Sequence, residues 1–408
     1  MTHFRHLSFA AFLSLSALPT ASFASFTDPI DGRFDMGDYL ADNAYGFLPV
    51  PIIITEPAVG YGGGVAGLFL HETDEEKERR QKLAKESLDG GAQLVPPAMT
   101  AVAAAGTENG TWVVAAGHRR TWMNDSIRYM GGGAIGHANI DIYTNPYDLD
   151  FIGEIPALKF DTETDFAVIM QQVQFRLPKT NWLLGAKQVW STSTLESSNT
   201  LVDMTLQFMD LDKTNNSGLG LVVEYDSRDN MFFPTKGYSL NADYMWHREE
   251  IGADHDYDTL SVEGQAFVPI GEKWIVAFAA SFDSISTDET MLTPTANPYI
   301  DLRGVSAYRY QGDQVATAQA QLMYRIDNRW TILGFYGLGY THNESLSPDF
   351  GNCFKSNCVK NSTSSTTVDA YGAGFRYQIA RRYGLHMGID LGFSDEEQAL
   401  YFTVGTGF

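Results

Sequence analysis

The sequence predicts an all-β protein: a transmembrane antiparallel β-barrel of sixteen strands, with fourteen as the alternative count. Three observations carry this. Stretches of about ten residues alternate apolar with polar side chains along most of the 408-residue chain, the length and two-faced pattern of a tilted membrane-crossing strand. Tryptophans recur at or just after tight turns. Short turns alternate with long polar loops, as in outer-membrane barrels.

Taken in chain order, residues 1–24 read as a secretory signal peptide. Arg5 gives the positive start, Leu7–Leu18 the apolar run, and Ser22-Phe23-Ala24 a small-x-small cleavage site before Ser25. The run is too short for a membrane helix, and no later stretch is apolar for long enough to form one. Residues 25–55 are assigned to a short periplasmic segment and 56–408 to the barrel domain.

Strand character is plain in four places. Leu240, Ala242, Tyr244 and Trp246 share one face, as do Leu260, Val262, Ala266 and Val268. Ala318, Ala320, Leu322, Tyr324 and Ile326 oppose Thr317, Gln319, Gln321 and Arg325. Leu385, Met387, Ile389, Leu391 and Phe393 oppose His386, Gly388 and Asp390, which puts Asp390 on the inner wall.

Inner turns are assigned at 107–110, 178–181, 234–237, 269–273, 327–329 and 380–384, with another near 144–150, and these give the sixteen strands. The stretch 142–165 is where the count could fall to fourteen, because Pro146 and Pro156 interrupt it. Trp112, Trp182, Trp274 and Trp330 follow four of the turns. They predict one interfacial girdle, where a half-buried indole keeps its N–H wet. The charged run 72–87 is expected to form a solvated helix over the outer mouth.

A formal charge of −22 excludes nucleic-acid binding. The two cysteines, Cys353 and Cys358, predict one local disulfide in an exported protein. No metal and no cofactor is expected. An enzyme is not expected either: the histidines have no G-x-S-x-G or other activating context.

The motifs then point to a family. LVVEYDSRDNMFFPTKGYSL (221–240) resembles the inner-turn segment of the BamA/TamA superfamily, the bacterial surface antigen barrels; Asp226, Arg228, Asp229, Asn230, Pro234 and Gly237 carry the likeness. Leu302-Arg303-Gly304-Val305 stands where relatives place the motif of their sixth outer loop. The closing ALYFTVGTGF resembles the terminal signal read by the outer-membrane assembly machinery, with Phe402, Val404 and Phe408 on one face.

The resemblance implies a Gram-negative outer-membrane location and a sixth loop folded into the lumen, its Arg303 and Gly304 locked onto Asp390. It implies work in protein or lipid translocation or insertion; a passive pore or structural barrel plugged by the loop is the alternative. Implied partners are the outer-membrane lipid bilayer, the assembly machinery during biogenesis and a separate protein supplying POTRA-like modules, since 25–55 is too short to hold one. Two departures are notable: Val305 replaces an aromatic, and Gly337 stands where many relatives carry a second acid. A wide barrel holds water, so the Arg303–Asp390 pair is expected to be solvated and weak.

Overall fold

The computed structural model describes residues 26–408 except 44–46, 87–97, 124, 144–146, 150–152, 156–158, 209–211, 288–291, 349–358 and 396. Residues 1–24, read as a signal peptide, the two cysteines of the expected disulfide, Pro146 and Pro156 lie outside the described residues. The first half contains β1 (Phe47–Ile54), β2 (Gly62–His71), β3 (Ala98–Thr107), β4 (Trp112–Trp122) and β5 (Ile127–Tyr143). After a small hairpin, β6 (Tyr147–Leu149) and β7 (Gly153–Ile155), come β8 (Lys159–Arg176), β9 (Trp182–Ser197) and β10 (Lys213–Asp226). The second half adds β11 (Gly237–His247), β12 (Tyr257–Ile270), β13 (Trp274–Ser286) and β14 (Gln314–Arg325). It closes with β15 (Trp330–Pro348), β16 (Val359–Ala380), β17 (Leu385–Ser394) and β18 (Gln398–Val404).

All but β6 and β7 belong to one 16-stranded antiparallel sheet, in which each strand pairs with the next and β5 passes directly to β8. The sheet curls into a nearly closed barrel, as the sequence predicts. The expected faces hold: on β14, Leu322 is exposed to the outside while Thr317, Gln321 and Met323 are buried within.

Antiparallel order puts successive connections at opposite ends, and this corrects the sequence reading in the first half. The sheet starts at Phe47, inside the segment assigned to the periplasm. One end, the turn end, therefore carries the N-terminal segment, 72–97, 123–126, 177–181, 227–236, 271–273, 326–329 and 381–384. The connections 108–111 and 144–158, read as inner turns, belong to the other end, the loop end. Trp112 follows them there, and Trp122 replaces it at the turn end. At that end three cross-strand pairs repeat: Trp182–Tyr225, Trp274–Tyr324 and Trp330–Tyr377, with ring centroids 4.9, 4.6 and 4.9 Å apart. Such pairs stabilise a sheet face and suit a membrane boundary.

The charged run does form a helix, α2 (Asp74–Glu86), following α1 (Gly37–Asn43). It lies at the turn end rather than over the mouth, and it is not wholly solvated. Ala84 is buried against Leu40, Ala41, Leu70, Ala380 and Tyr383. Arg80 forms a buried fork to Glu72 at 3.0 and 2.8 Å. Arg382 accepts the helix C-terminus by donating to the Ala84 and Lys85 carbonyls, at 2.5 and 3.2 Å, where orphan carbonyls and the dipole favour a cation.

Charge also staples the N-terminal segment to the barrel. Arg329, in the β14–β15 turn and fully buried, binds Asp28, Asp31 (2.7 Å) and Asp35 (2.5 Å). Arg381 shares Asp28 (2.7 Å) and Asp31 (2.6 Å). The Arg329 hydrogen bond holds the Asp31 carboxyl well below the usual carboxylate range.

Candidate functional site

The connection between β13 and β14 is the sixth at the loop end. Its residues 299–311 do not simply bridge two strands: they lie along the buried faces of β14 to β18. Three apolar side chains anchor them. Ile300, Leu302 and Val305 are 0%, 3% and 4% exposed and pack with Val315 of β14 and Ala370 of β16. The wall is cut away to receive them. A Cβ added at Gly337 would stand 3.0 Å from Leu302 Cδ2, and one at Gly339 would stand 2.6 Å from Ile300 Cγ2. An acidic residue at 337 would therefore displace Leu302. Val305, in place of an aromatic, fits the same tight cluster.

Backbone crosses backbone at Gly304, whose φ of +101° few side chains tolerate. A Cβ there would meet Phe393 N at 2.9 Å, and one on Gly392 of β17 would meet Gly304 N at 2.9 Å. Two glycines are thus needed where the loop rests on β17. The contact is fixed by the Gly304 N–H donating to the Tyr401 hydroxyl (2.9 Å) and the Ser394 hydroxyl donating to the Gly304 carbonyl (2.8 Å).

Arg303 reaches Asp390, as the sequence proposes, at 2.9 Å. The surroundings differ from that proposal. Asp390 is fully buried and already held by Arg376 of β16, itself fully buried, through bonds of 2.6 and 2.7 Å. The second guanidinium nitrogen of Arg303 donates to Gln321 at 2.9 Å. Arg303 Cζ lies 3.7 Å from the Phe335 ring centroid and 5.3 Å from that of Phe408, close enough for cation–π attraction. The site is buried, where a solvated pair was expected, and it holds two arginines against one carboxylate. Arg303 Nε has no hydrogen-bond acceptor among the described residues.

Sequence reasoning missed Arg376. The signal was present: a charged residue inside a strand, on the face opposite Phe375 and Tyr377, with Gly388 across from it. A Cβ at Gly388 would come 2.9 Å from Arg376 Cδ. Glu397 was missed too. It accepts from Ser306 N (2.8 Å), Ser306 Oγ (2.7 Å) and Arg309 (2.5 Å). At the loop's far side the Ala307 N–H donates to Glu56 of the β1–β2 connection at 3.3 Å. Burial pushes the Glu56 carboxyl up, and that N–H pulls it back. Tyr308, in a left-handed conformation, packs its ring at a tilt against Tyr299, with centroids 4.4 Å apart.

The 226–237 motif meets this site from the turn end. Arg228 forks onto Asp226 (3.1 and 2.8 Å), and Asp229 accepts from Thr235 N (2.9 Å) and Oγ1 (2.7 Å). Asn230 accepts from Phe232 N (2.7 Å) and Phe233 N (2.9 Å). Gly237 takes φ +106°, and Pro234 lies within the turn these bonds close. The result aims Phe233 into a buried cluster with Phe267, Ile275, Met323, Leu333 and Phe335. Phe408 packs on that cluster and corrects a further expectation. Phe402 and Val404 do face outward, but Gly405 and Gly407, both at φ +95°, turn the tail inward. Arg376 then donates to the carbonyls of Gly405 (2.7 Å) and Thr406 (2.9 Å).

A family model described as the Omp85 superfamily domain matches residues 166–408. The chain belongs to the Omp85 superfamily. The Omp85 match runs from within β8 to the C-terminus and contains both motifs and the partners of Arg303. Among solved structures, BamA from Haemophilus ducreyi lacking POTRA domains 1–3 is similar with a TM-score of 0.53 and 10% identity, over 88% of this chain and 70% of that one. CdiB from Escherichia coli gives 0.51 and 10%, over 89% of this chain and 62% of that one, less than two thirds of its length. At such identities the likeness is one of fold. No curated protein matches the chain.

Proposed function

We propose that this Omp85 barrel sits in the outer membrane of a Gram-negative bacterium and works in protein or lipid translocation or insertion, with the 298–313 loop as an occluding gate. One observation supports the gate above all: the loop is seated on the inner wall by apolar packing and by an arginine that joins a carboxylate already neutralised by Arg376. A loop built only to join β13 and β14 would not need either. In this reading Ile300, Leu302 and Val305 hold the loop on the wall, Arg303, Gly304 and Asp390 set where it docks, and the 226–237 turn with Phe408 closes the lumen beneath it. Phe402 and Val404, on the outer face of the closing strand, remain available to the assembly machinery during biogenesis.

The test is to tether the loop. Val305→Cys with Ala370→Cys joins two members of one buried cluster, leaving the arginines and Asp390 intact. Purified barrel is placed in liposomes and assayed for ion conduction and for accelerated insertion of an unfolded barrel substrate. Activity in the reduced state that disappears on oxidation supports the gate. No conduction and no acceleration in either state would sink it and leave the second reading, a permanently plugged structural barrel, which the burial of the Arg303 site favours.

A further inference from the structure

On the outward face of β2 to β4, at the turn end, the apolar belt is broken by a polar row. Parity settles the orientation: Val65 and Phe69 of β2, Val102 of β3, and Val114 and Trp122 of β4 are exposed outward. His71, Thr100, His118 and Arg120 fall on those same faces. His71 Nε2 and Thr100 Oγ1 are 2.8 Å apart, and Thr100 Oγ1 and His118 Nδ1 are 2.9 Å apart. A hydroxyl donates once, so one ring donates to Thr100 and the other accepts from it. Whichever way this chain runs, one imidazole keeps a free N–H.

Arg120 lies over Trp122, 5.4 Å from the ring centroid, and has no carboxylate partner among the described residues. Glu76 of α2, an acidic group that feels its charge, is engaged in a capping box. Glu76 Oε2 accepts from Thr73 N at 2.9 Å, and Thr73 Oγ1 accepts from Glu76 N at 3.2 Å. A cationic, donor-rich row is thus exposed on a chain of formal charge −22. Immediately along the same strands lie Phe69, Val102 and Val114, an apolar surface.

We propose that this row binds the phosphate of an anionic phospholipid in the leaflet at the turn end. Arg120 and the free imidazole N–H grip the headgroup, Trp122 marks the boundary, and the acyl chains run over Phe69, Val102 and Val114. A guanidinium fork and a ring N–H match phosphate oxygens, and the adjoining apolar face matches the tails. Free phosphate shares the first feature but has no use for the second.

The experiment places the intact barrel in phosphatidylcholine nanodiscs carrying a photoactivatable phosphatidylglycerol, with crosslinks mapped by mass spectrometry. Crosslinks should concentrate on residues 98–122 and exceed those of the matching phosphatidylcholine probe. Arg120→Gln with His118→Gln should lower them about tenfold or more, the loss of charge-assisted bonds. Lys82→Gln, on the exposed face of α2, should leave them unchanged. An unboiled gel checks folding, and Arg120→Gln alone serves if the double variant does not fold. Equal yields from the two lipids, or an unchanged yield in the variant, overturns the proposal. Protection by millimolar inorganic phosphate as complete as that by excess lipid also overturns it, in favour of a free-anion site.

Discussion

The apolar trio, rather than Arg303, is expected to hold the sixth loop in place. Burying Ile300, Leu302 and Val305 contributes about 1.5–3 kcal/mol each, an upper bound of roughly 5–9 kcal/mol. Arg303 gains about 1.5–3 kcal/mol from a hydrogen bond to a charged group and about 2 kcal/mol from stacking on rings. Against this stands a desolvation cost of several kcal/mol. Because Arg376 already neutralises Asp390, the attraction left for a second arginine is reduced, and the terms nearly cancel. Arg303→Met keeps the length and the ring contact, so it should shift docking by only about 0–1 kcal/mol. Ile300→Ser with Leu302→Ser should cost about 4 kcal/mol or more. Proteinase K cleavage within 298–313 of the folded barrel reads the open population. The Met variant should stay within about fivefold of wild type, and the Ser pair should exceed it by at least a hundredfold. If Arg303→Met opens the loop as far as the Ser pair does, the charge is the latch and the apolar ranking is wrong.

Asp390→Asn leaves two buried arginines facing a neutral amide and should cost the barrel about 3–5 kcal/mol, read as a lower conversion temperature of the heat-modifiable band on gels. Adding Arg376→Met should recover most of that loss. Arg329→Gln strips the main partner from Asp28, Asp31 and Asp35; residues 26–43 should become open to protease while the band stays heat-modifiable. Asp31 has a folded-state pKa below its unfolded value, so its contribution is fully present above about pH 4 and is lost as pH falls further. Pepsin should therefore release the N-terminal segment increasingly below that pH, and release at the same rate at pH 4.5 and pH 2 would contradict the linkage.

Strands and their faces were legible because alternation is a local property: β14 and β17 read correctly residue by residue. Sides were not, since they depend on counting every strand before them. Phe47–Ile54 is an apolar run broken by Pro49 and Pro51, and passing it over reversed the sides of 72–97, 107–110 and 144–150, and with them Trp112. One strand too many between 150 and 178, where only β8 among the described strands belongs to the sheet, restored the sides of the later turns. The Arg303–Asp390 contact was legible through family motifs. Its burial was not, because it depends on side chains from three directions: the loop, the β14–β17 wall, and the tail turned inward by Gly405 and Gly407. α2 misled for a related reason. Its charges suggested solvent, yet Arg80 is satisfied by Glu72 and Ala84 by a partner helix distant in sequence.

The ends of the sheet show where resistance to opening resides. β1 and β18 are its first and last strands, and no paired register joins them among the described residues. Pro49 and Pro51 have no N–H to offer, and proline in an edge strand places that missing donor on the free side. A row of ladder hydrogen bonds is therefore not what holds the seam. At the turn end, Leu48, Leu68, Leu70 and Met99 from the first strands share one apolar cluster with Ala380, Tyr383 and Leu385 from the last, through Leu40 and Ala41 of α1 and Ala84 of α2. At the loop end the sixth loop reaches both sides, with Ala307 on Glu56 and Ser306 on Glu397. The buried Leu40 and Leu70 alone contribute about 1.5–3 kcal/mol each, more than the roughly 0.5–1.5 kcal/mol net of a single backbone hydrogen bond. Parting β1 from β18 must first unseat α1 and α2 at one end and the sixth loop at the other. The strength of the seam is thus set by segments outside the strands, which is why strand periodicity carries no sign of it.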